Sequence, residues 1–116
     1  MPTEPKDPQL IESKADLRTM LEALQGESEL ALDVEGDGYY RYEAQLCSIQ
    51  LATRTSSFVV DPLAIEDLSP LQALFDPDGA CCVLHDATFD LRLLSTRGLR
   101  LHRIVDTSVA ARFLGE

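Results

Sequence analysis

Residues 46–61, LCSIQLATRTSSFVVD, hold two short segments in which apolar and polar residues alternate, 46–53 (LCSIQLAT) and 56–61 (SSFVVD), with only Arg54 and Thr55 between them. A period of two marks a half-buried strand, because successive side chains point to opposite faces of a sheet, and so short a spacer suits a tight hairpin. Upstream, the run Glu29 to Val34 is short and apolar and is followed by Gly36 and Gly38, which suits a strand ending in an irregular loop. An antiparallel meander of three strands is the simplest reading of this part of the chain.

On either side the period becomes that of a helix. From Ser13 onward, Leu17, Met20, Leu21 and Leu24 recur at helical spacing, with Ser13 or Asp16 as cap and Gly26 as stop. Residues 1–12 carry three prolines and interleaved charges and read as an extended lead-in without a core of their own. Beyond the hairpin, Leu68, Leu71, Leu74 and Phe75 mark a helix ended by Pro77 and Gly79, and Cys81 to His85 reads as a short buried strand. Ala87 to Ser95 reads as a helix with Phe89, Leu91, Leu93 and Leu94 apolar, closed by Gly98. Ile104-Val105 is a brief strand, and Asp106 is placed to cap a last helix through Phe113. This order predicts an α/β fold with a mixed sheet, three antiparallel strands followed by α/β units. Gly115 would ordinarily hand the chain to a further element, yet the sequence finishes at Glu116. The expectation is therefore a C-terminally truncated domain, with residues 13–116 its N-terminal part.

At 116 residues the chain suffices for one domain with one core. Apolar residues at 45% and charged residues at 26% set it apart from disordered compositions. No apolar run approaches the roughly 18 residues that cross a bilayer, and MPTEPKDPQL has no apolar signal region, so a cytoplasmic protein with no membrane partner is expected. Cys81 and Cys82 are adjacent and Cys47 lies far away, neither a metal-ligand pattern nor an even disulfide framework, and all three are expected reduced and buried. The formal charge of −10 repels phosphate backbones at long range, so any nucleic-acid contact must be local or metal-mediated.

Asp33 and Glu35 stand two apart at the end of a predicted strand, a spacing that projects both side chains from one face. Carboxylates held close raise each other's pKa unless a cation lies between them, and oxygen ligands suit magnesium or manganese better than zinc. Two acids solvated at a loop edge would read the same way. The run His85-Asp86-Ala87-Thr88-Phe89-Asp90-Leu91 leads from a strand end into a helix, where ligand sites often lie. Asp90, about one turn in, is a third candidate ligand; equally, Asp86 or Thr88 caps the helix and Asp90 complements its dipole. Tyr39, Tyr40 and Tyr42 beside Arg41 could stack on a base or stay solvated. Arg92, Arg97, Arg100 and Arg103 form a local basic concentration, read as a solvent-exposed face with ordinary ion pairs.

Taken together, these sites resemble a known family. Leu30-Ala31-Leu32-Asp33-Val34-Glu35 followed by Ala44-Gln45-Leu46-Cys47-Ser48-Ile49-Gln50-Leu51-Ala52 is similar to the first motif and second strand of the ribonuclease D branch of DEDD exonucleases. His85 to Leu91 resembles the second motif, and Val105-Asp106-Thr107 through Gly115 the Asp-Thr helix that follows it. The resemblance implies a ribonuclease H-like fold and removal of nucleotides one at a time from a single-stranded 3′ end of RNA or DNA, with RNA and transfer-RNA 3′-end processing the expected task. It implies four acids around two Mg2+ or Mn2+ ions, one activating a water and the other stabilising the leaving 3′ oxygen. Asp33, Glu35 and Asp90 match three of those acids, and His85, Phe89, Gly36 and Gln50 the surrounding substrate contacts. Asp106 matches the helix-opening aspartate, a capping residue and not a ligand. The family's last motif, a tyrosine with the fourth aspartate four residues on, has no counterpart in the sequence, so the chain by itself is expected to be inactive. Val34 and Gly36 stand where the family often has Thr and Phe. The competing reading is a non-catalytic nucleic-acid-binding or protein-interaction module on the same fold. In either case an incompletely covered sheet is expected to self-associate.

Overall fold

The computed structural model describes residues 7–37 and 44–109. Tyr39, Tyr40, Arg41 and Tyr42, and the end of the expected last helix, lie outside the described residues.

The chain runs β1 (Gln9–Ile11), α1 (Lys14–Leu24), β2 (Glu29–Gly36), β3 (Leu46–Ala52), β4 (Ser57–Val60), a 3-10 turn (Ser69–Leu71), α2 (Gln72–Phe75), β5 (Cys81–Leu84), α3 (Ala87–Ser95) and β6 (Ile104–Asp106). Six strands make one sheet in the order β1-β4-β3-β2-β5-β6. The meander is present: β2 pairs antiparallel with β3 and β3 with β4. On its far side β2 pairs parallel with β5, and β5 with β6. The sheet is thus mixed, in keeping with the ribonuclease H-like architecture expected from the sequence.

Burial separates the two faces. Along β2, Leu30, Leu32 and Val34 are buried while Ala31, Asp33 and Glu35 are exposed. The buried set joins Ile49, Leu51, Phe58, Val60, Cys82 and Leu84 from the other strands and Leu17, Met20, Leu24, Leu93 and Leu94 from α1 and α3 in one core. Helix α1 starts where expected, the Ser13 hydroxyl accepting from the Asp16 N–H at 3.1 Å, and Gly26 beyond its end takes the left-handed φ of 86°. No helix among the described residues is long and apolar enough to cross a membrane.

Four expectations need correcting. The lead-in is not wholly outside the fold: Gln9–Ile11 pairs parallel with Phe58–Val60, and Ile11 is buried. Burying that side chain contributes roughly 1.5–3 kcal/mol, which offsets much of the about 1–2 kcal/mol per residue that ordering costs. Strand β2 continues past Val34 to Gly36, because β3 stays alongside it. The helix expected from Leu68 is only a 3-10 turn with Pro70 inside it and the four-residue α2, since Pro77 lies just beyond. Only Cys82 among the cysteines is buried, and burial pushes its thiol up to about 11; Cys47 and Cys81 are half-buried.

Candidate active site

Asp33 and Glu35 are exposed together on the open face of β2. Asp33 stands opposite Gln50 and Glu35 opposite Ser48, after which the register slips so that Gly36 faces Leu46. With Gln50, Ala31, Val59 and Val83, Asp33 lines a cavity of about 200 Å³ on this face. At Gly36 the slip brings the neighbouring chain close: a Cβ there would lie 2.9 Å from the Gln45 carbonyl oxygen and 2.9 Å from both Leu93 methyl groups. Glycine therefore lets α3 pack onto the end of β2. Asp90, three residues before Leu93 and on the same helical face, is drawn to the strand with it.

That placement explains the state of Asp90. It is the only buried charged or polar residue in the described core, 6% exposed. The pairing of β2 with β5 ends at Ala31 and Val83, and beyond it the Val34 backbone N–H donates to the Asp90 carboxyl. The other oxygen, Oδ2, is buried and has no hydrogen-bond partner. Burial pushes the Asp90 carboxyl up to about 6, the charge of Asp33 adding to it and the Val34 bond opposing it.

Helix α3 begins abruptly. Asp86 takes a left-handed conformation, φ 59° and ψ 65°, and its side chain makes no capping bond. The expected cap from Asp86 or Thr88 is therefore corrected; the cap comes from β6. Asp106 accepts from the Asp86 N–H at 3.0 Å through Oδ1 and from the Ala87 N–H at 2.9 Å through Oδ2. Its Oδ1 also accepts from Ser108, 2.9 Å from the N–H and 2.6 Å from the hydroxyl, which caps the helical residues 107–109 as expected. The Ser108 hydroxyl above all, then the backbone donors, holds the Asp106 carboxyl well below the usual carboxylate range. Beside this clamp, His85 Nδ1 lies 2.8 Å from the Thr107 hydroxyl, which donates to the Leu84 carbonyl at 3.2 Å. Phe89, in the first turn of α3, is 49% exposed.

The structure thus gathers Gln50, Asp33 and Asp90 around one end of β2, with Glu35 farther along the same face, and places His85 just past the end of the neighbouring β5 against Thr107. It does not preassemble a metal cage: among the described residues no group of three or more His, Cys, Asp or Glu side chains is close enough to hold an ion. The residues nevertheless fit a hard cation. A buried carboxylate oxygen without a donor, next to a second carboxylate that disfavours its ionisation, is a cost a divalent ion would relieve. The reach of Asp106 to a helix nineteen residues earlier escaped sequence reading, and the only signal for it was an Asp-Thr pair closing a short strand. Of the arginines, Arg92, Arg100 and Arg103 are exposed as expected, but Arg97 is half-buried and donates to the carbonyls of Pro62, Ile65 and Glu66 at 2.8, 2.9 and 2.8 Å, and Arg103 donates to that of Gly79.

Residues 8–116 match the protein family described as 3′-5′ exonuclease. The chain belongs to that family. Within it, the likeness is to ribonuclease D. The chain is 34% identical over 112 residues to ribonuclease D of Desulfotalea psychrophila, covering 95% of this chain and 30% of that protein. It superimposes on the crystal structure of Escherichia coli RNase D, an exoribonuclease involved in structured RNA processing, with a TM-score of 0.87 and 31% identity, covering 96% of this chain and 30% of the other. Trypanosoma brucei RNase D in complex with RNA U12 shares the fold, with a TM-score of 0.73 at 20% identity over 87% of this chain and 37% of that one. The chain thus spans about a third of the length of these proteins.

Proposed function

We propose that this chain carries the first part of the catalytic site of a ribonuclease D-type 3′-5′ exoribonuclease. The observation that carries the reading is Asp90: buried on α3 with one oxygen unsatisfied, and electrostatically coupled to Asp33 across the strand end. Asp33, Glu35 and Asp90 would hold the metal. When bound, Mg2+ or Mn2+ supplies an activated attacking water and stabilises the leaving 3′ oxygen. The protein's own part is placement. Val34 and the packing of Leu93 against Gly36 fix Asp90 on a rigid helix, so that only Asp33 and Glu35, on the exposed face, must adjust. Gln50 borders Asp33, and it and His85, just past the end of β5, are assigned to the terminal nucleotide; the exposed Phe89 offers a ring for its base.

A single-stranded RNA 3′ end is the proposed substrate, supported by RNA processing in the Escherichia coli relative and the RNA complex of the Trypanosoma brucei one. The family's fourth acid and its tyrosine match none of the 116 residues, so activity is assigned to a protein that supplies them and not to these residues alone. Calorimetric titration with manganese tests the reading. Binding lost in both Asp33→Ala and Asp90→Ala is expected, with 3′-end degradation of RNA once the chain is joined to a ribonuclease D C-terminal portion. A wild-type chain that binds no manganese in either form would favour the non-catalytic module.

A further inference from the structure

The hydrogen bonds around Thr107 determine more than the position of His85. A threonine hydroxyl has one proton to give, and here it goes to the Leu84 carbonyl, 3.2 Å away. The contact to His85, at 2.8 Å, is a hydrogen bond at the same time only if that oxygen accepts there. The arrangement that makes both bonds puts the proton of the neutral imidazole on Nδ1 and leaves Nε2 a lone pair. No hydrogen bond among the described residues engages Nε2, and His85 is exposed.

The sheet register says where that lone pair is offered. β2 and β5 run parallel with Ala31 level with Val83, and β5 and β6 with Val83 level with Val105. The His85–Thr107 contact carries the β5–β6 row one residue past its last pair; continuing the β2–β5 row two residues past its last pair would bring Asp33 to the same level, with Gln50 facing it from the other side. Adjacent strands lie about 4.8 Å apart, so an imidazole at that level would stand within sugar distance of a phosphate held at Asp33. A phosphate offers Nε2 no proton, whereas each hydroxyl of a ribose does.

We propose that Thr107 is a positioning residue that locks His85 in its Nδ1–H tautomer, so that Nε2 accepts a hydrogen bond from a hydroxyl of the 3′-terminal ribose. The assignment rests on the exonuclease reading for its ligand, but the tautomer stands on the protein alone. It makes the site a reader of the terminal sugar. Either the 2′ or the 3′ hydroxyl would satisfy the acceptor.

Two measurements on the protein test this separately. Long-range 15N–1H NMR should show His85 protonated at Nδ1 and bare at Nε2, a pattern lost in Thr107→Val and restored in Thr107→Ser. Protonation at Nε2 in the wild type would overturn the proposal whatever the enzyme does. Second, binding of short single-stranded oligouridylates ending in a ribose, a 2′-deoxyribose or a 3′-deoxyribose should weaken on the order of two- to tenfold when the recognised hydroxyl is removed. The end that shows the loss identifies that hydroxyl. His85→Asn keeps a donor toward Thr107 while removing the acceptor at Nε2, and it should bind all three ends alike. Sugar discrimination that survives His85→Asn, or none in the wild type, would overturn the proposal and leave the nuclease reading intact. No binding of any end, with the tautomer as described, would sink the nuclease reading and the ribose assignment with it.

Discussion

The Asp106 carboxylate accepts from the Ala87 backbone N–H at 2.9 Å, joining the end of β6 to the first residue of α3 across nineteen residues of sequence. A helix leaves its first N–H groups without partners inside the helix, and a side chain from its own start usually serves them. Here the start is a left-handed Asp86 that cannot do so, and the carboxylate of another strand takes the role. The helix that carries Asp90 is thus seated by β6.

Removing that seat should loosen Asp90 as well as the fold. Asp106→Ala is expected to lower the melting temperature by several degrees and to weaken manganese binding, and Asp106→Asn to do both less, since one oxygen remains to accept. The sign with pH follows from the depressed Asp106 carboxyl. Its stabilisation is present above the ordinary carboxylate pKa of about 3.9 and lost as pH falls through the lower folded value. Thermal melts should therefore show the wild type losing its advantage over Asp106→Ala only in strong acid. An unchanged melt at neutral pH would show that the clamp carries no stability.

Asp90 has the opposite sign. Its carboxyl is pushed up to about 6 in the fold, from 3.8, so the folded state binds its proton more tightly and stability contributed by Asp90 falls as pH rises from about 4 to about 6. In a chelator at pH 7.5, Asp90→Asn should be more stable than the wild type by about 1–3 kcal/mol, with no difference near pH 4. Manganese should reverse the order at pH 7.5, stabilising only the wild type. Denaturant titrations at the two pH values measure this, and a variant less stable than the metal-free wild type at pH 7.5 would contradict it.

These two carboxylates also show what was legible beforehand. Asp90 and Asp106 could each be placed at a helix start from local spacing, just as the period-two runs placed β3 and β4 and the Ser13 cap placed α1. Local signals of this kind come from contacts three or four residues apart. The burial of Asp90 and the reach of Asp106 depend on which strands are neighbours, and nothing within one turn of either residue encodes that. Strand β1 was missed because three residues are too few to display a period, and its pairing partner lies some fifty residues on.

Arg97 provides a control away from the acids. Its guanidinium donates to three carbonyls of the segment after β4, a fork that a lysine ammonium cannot reproduce. Arg97→Lys should cost about 1–3 kcal/mol of stability, measured by urea denaturation, while leaving manganese affinity within twofold. A metal defect in this variant would mean that stability alone, and not the seating of Asp90, governs the site.

Gly36 joins packing to the site most directly. A Cβ at this position meets the Leu93 methyl groups and the Gln45 carbonyl oxygen, all at 2.9 Å. The leucine can rotate or be shortened, but the carbonyl belongs to the backbone of the adjoining chain. Gly36→Ala should therefore cost about 1–3 kcal/mol through overpacking, and Leu93→Val should recover only part of it, because the clash with Gln45 remains. The same substitution pushes α3 away from β2, lengthening the bond from the Val34 N–H to Asp90. Manganese affinity should fall with it, and in the double variant should return only as far as stability does. Measured together by calorimetry and urea melts, a variant that keeps full metal affinity while losing stability would separate the packing of α3 from the geometry of the site, and would show that Gly36 serves the fold alone.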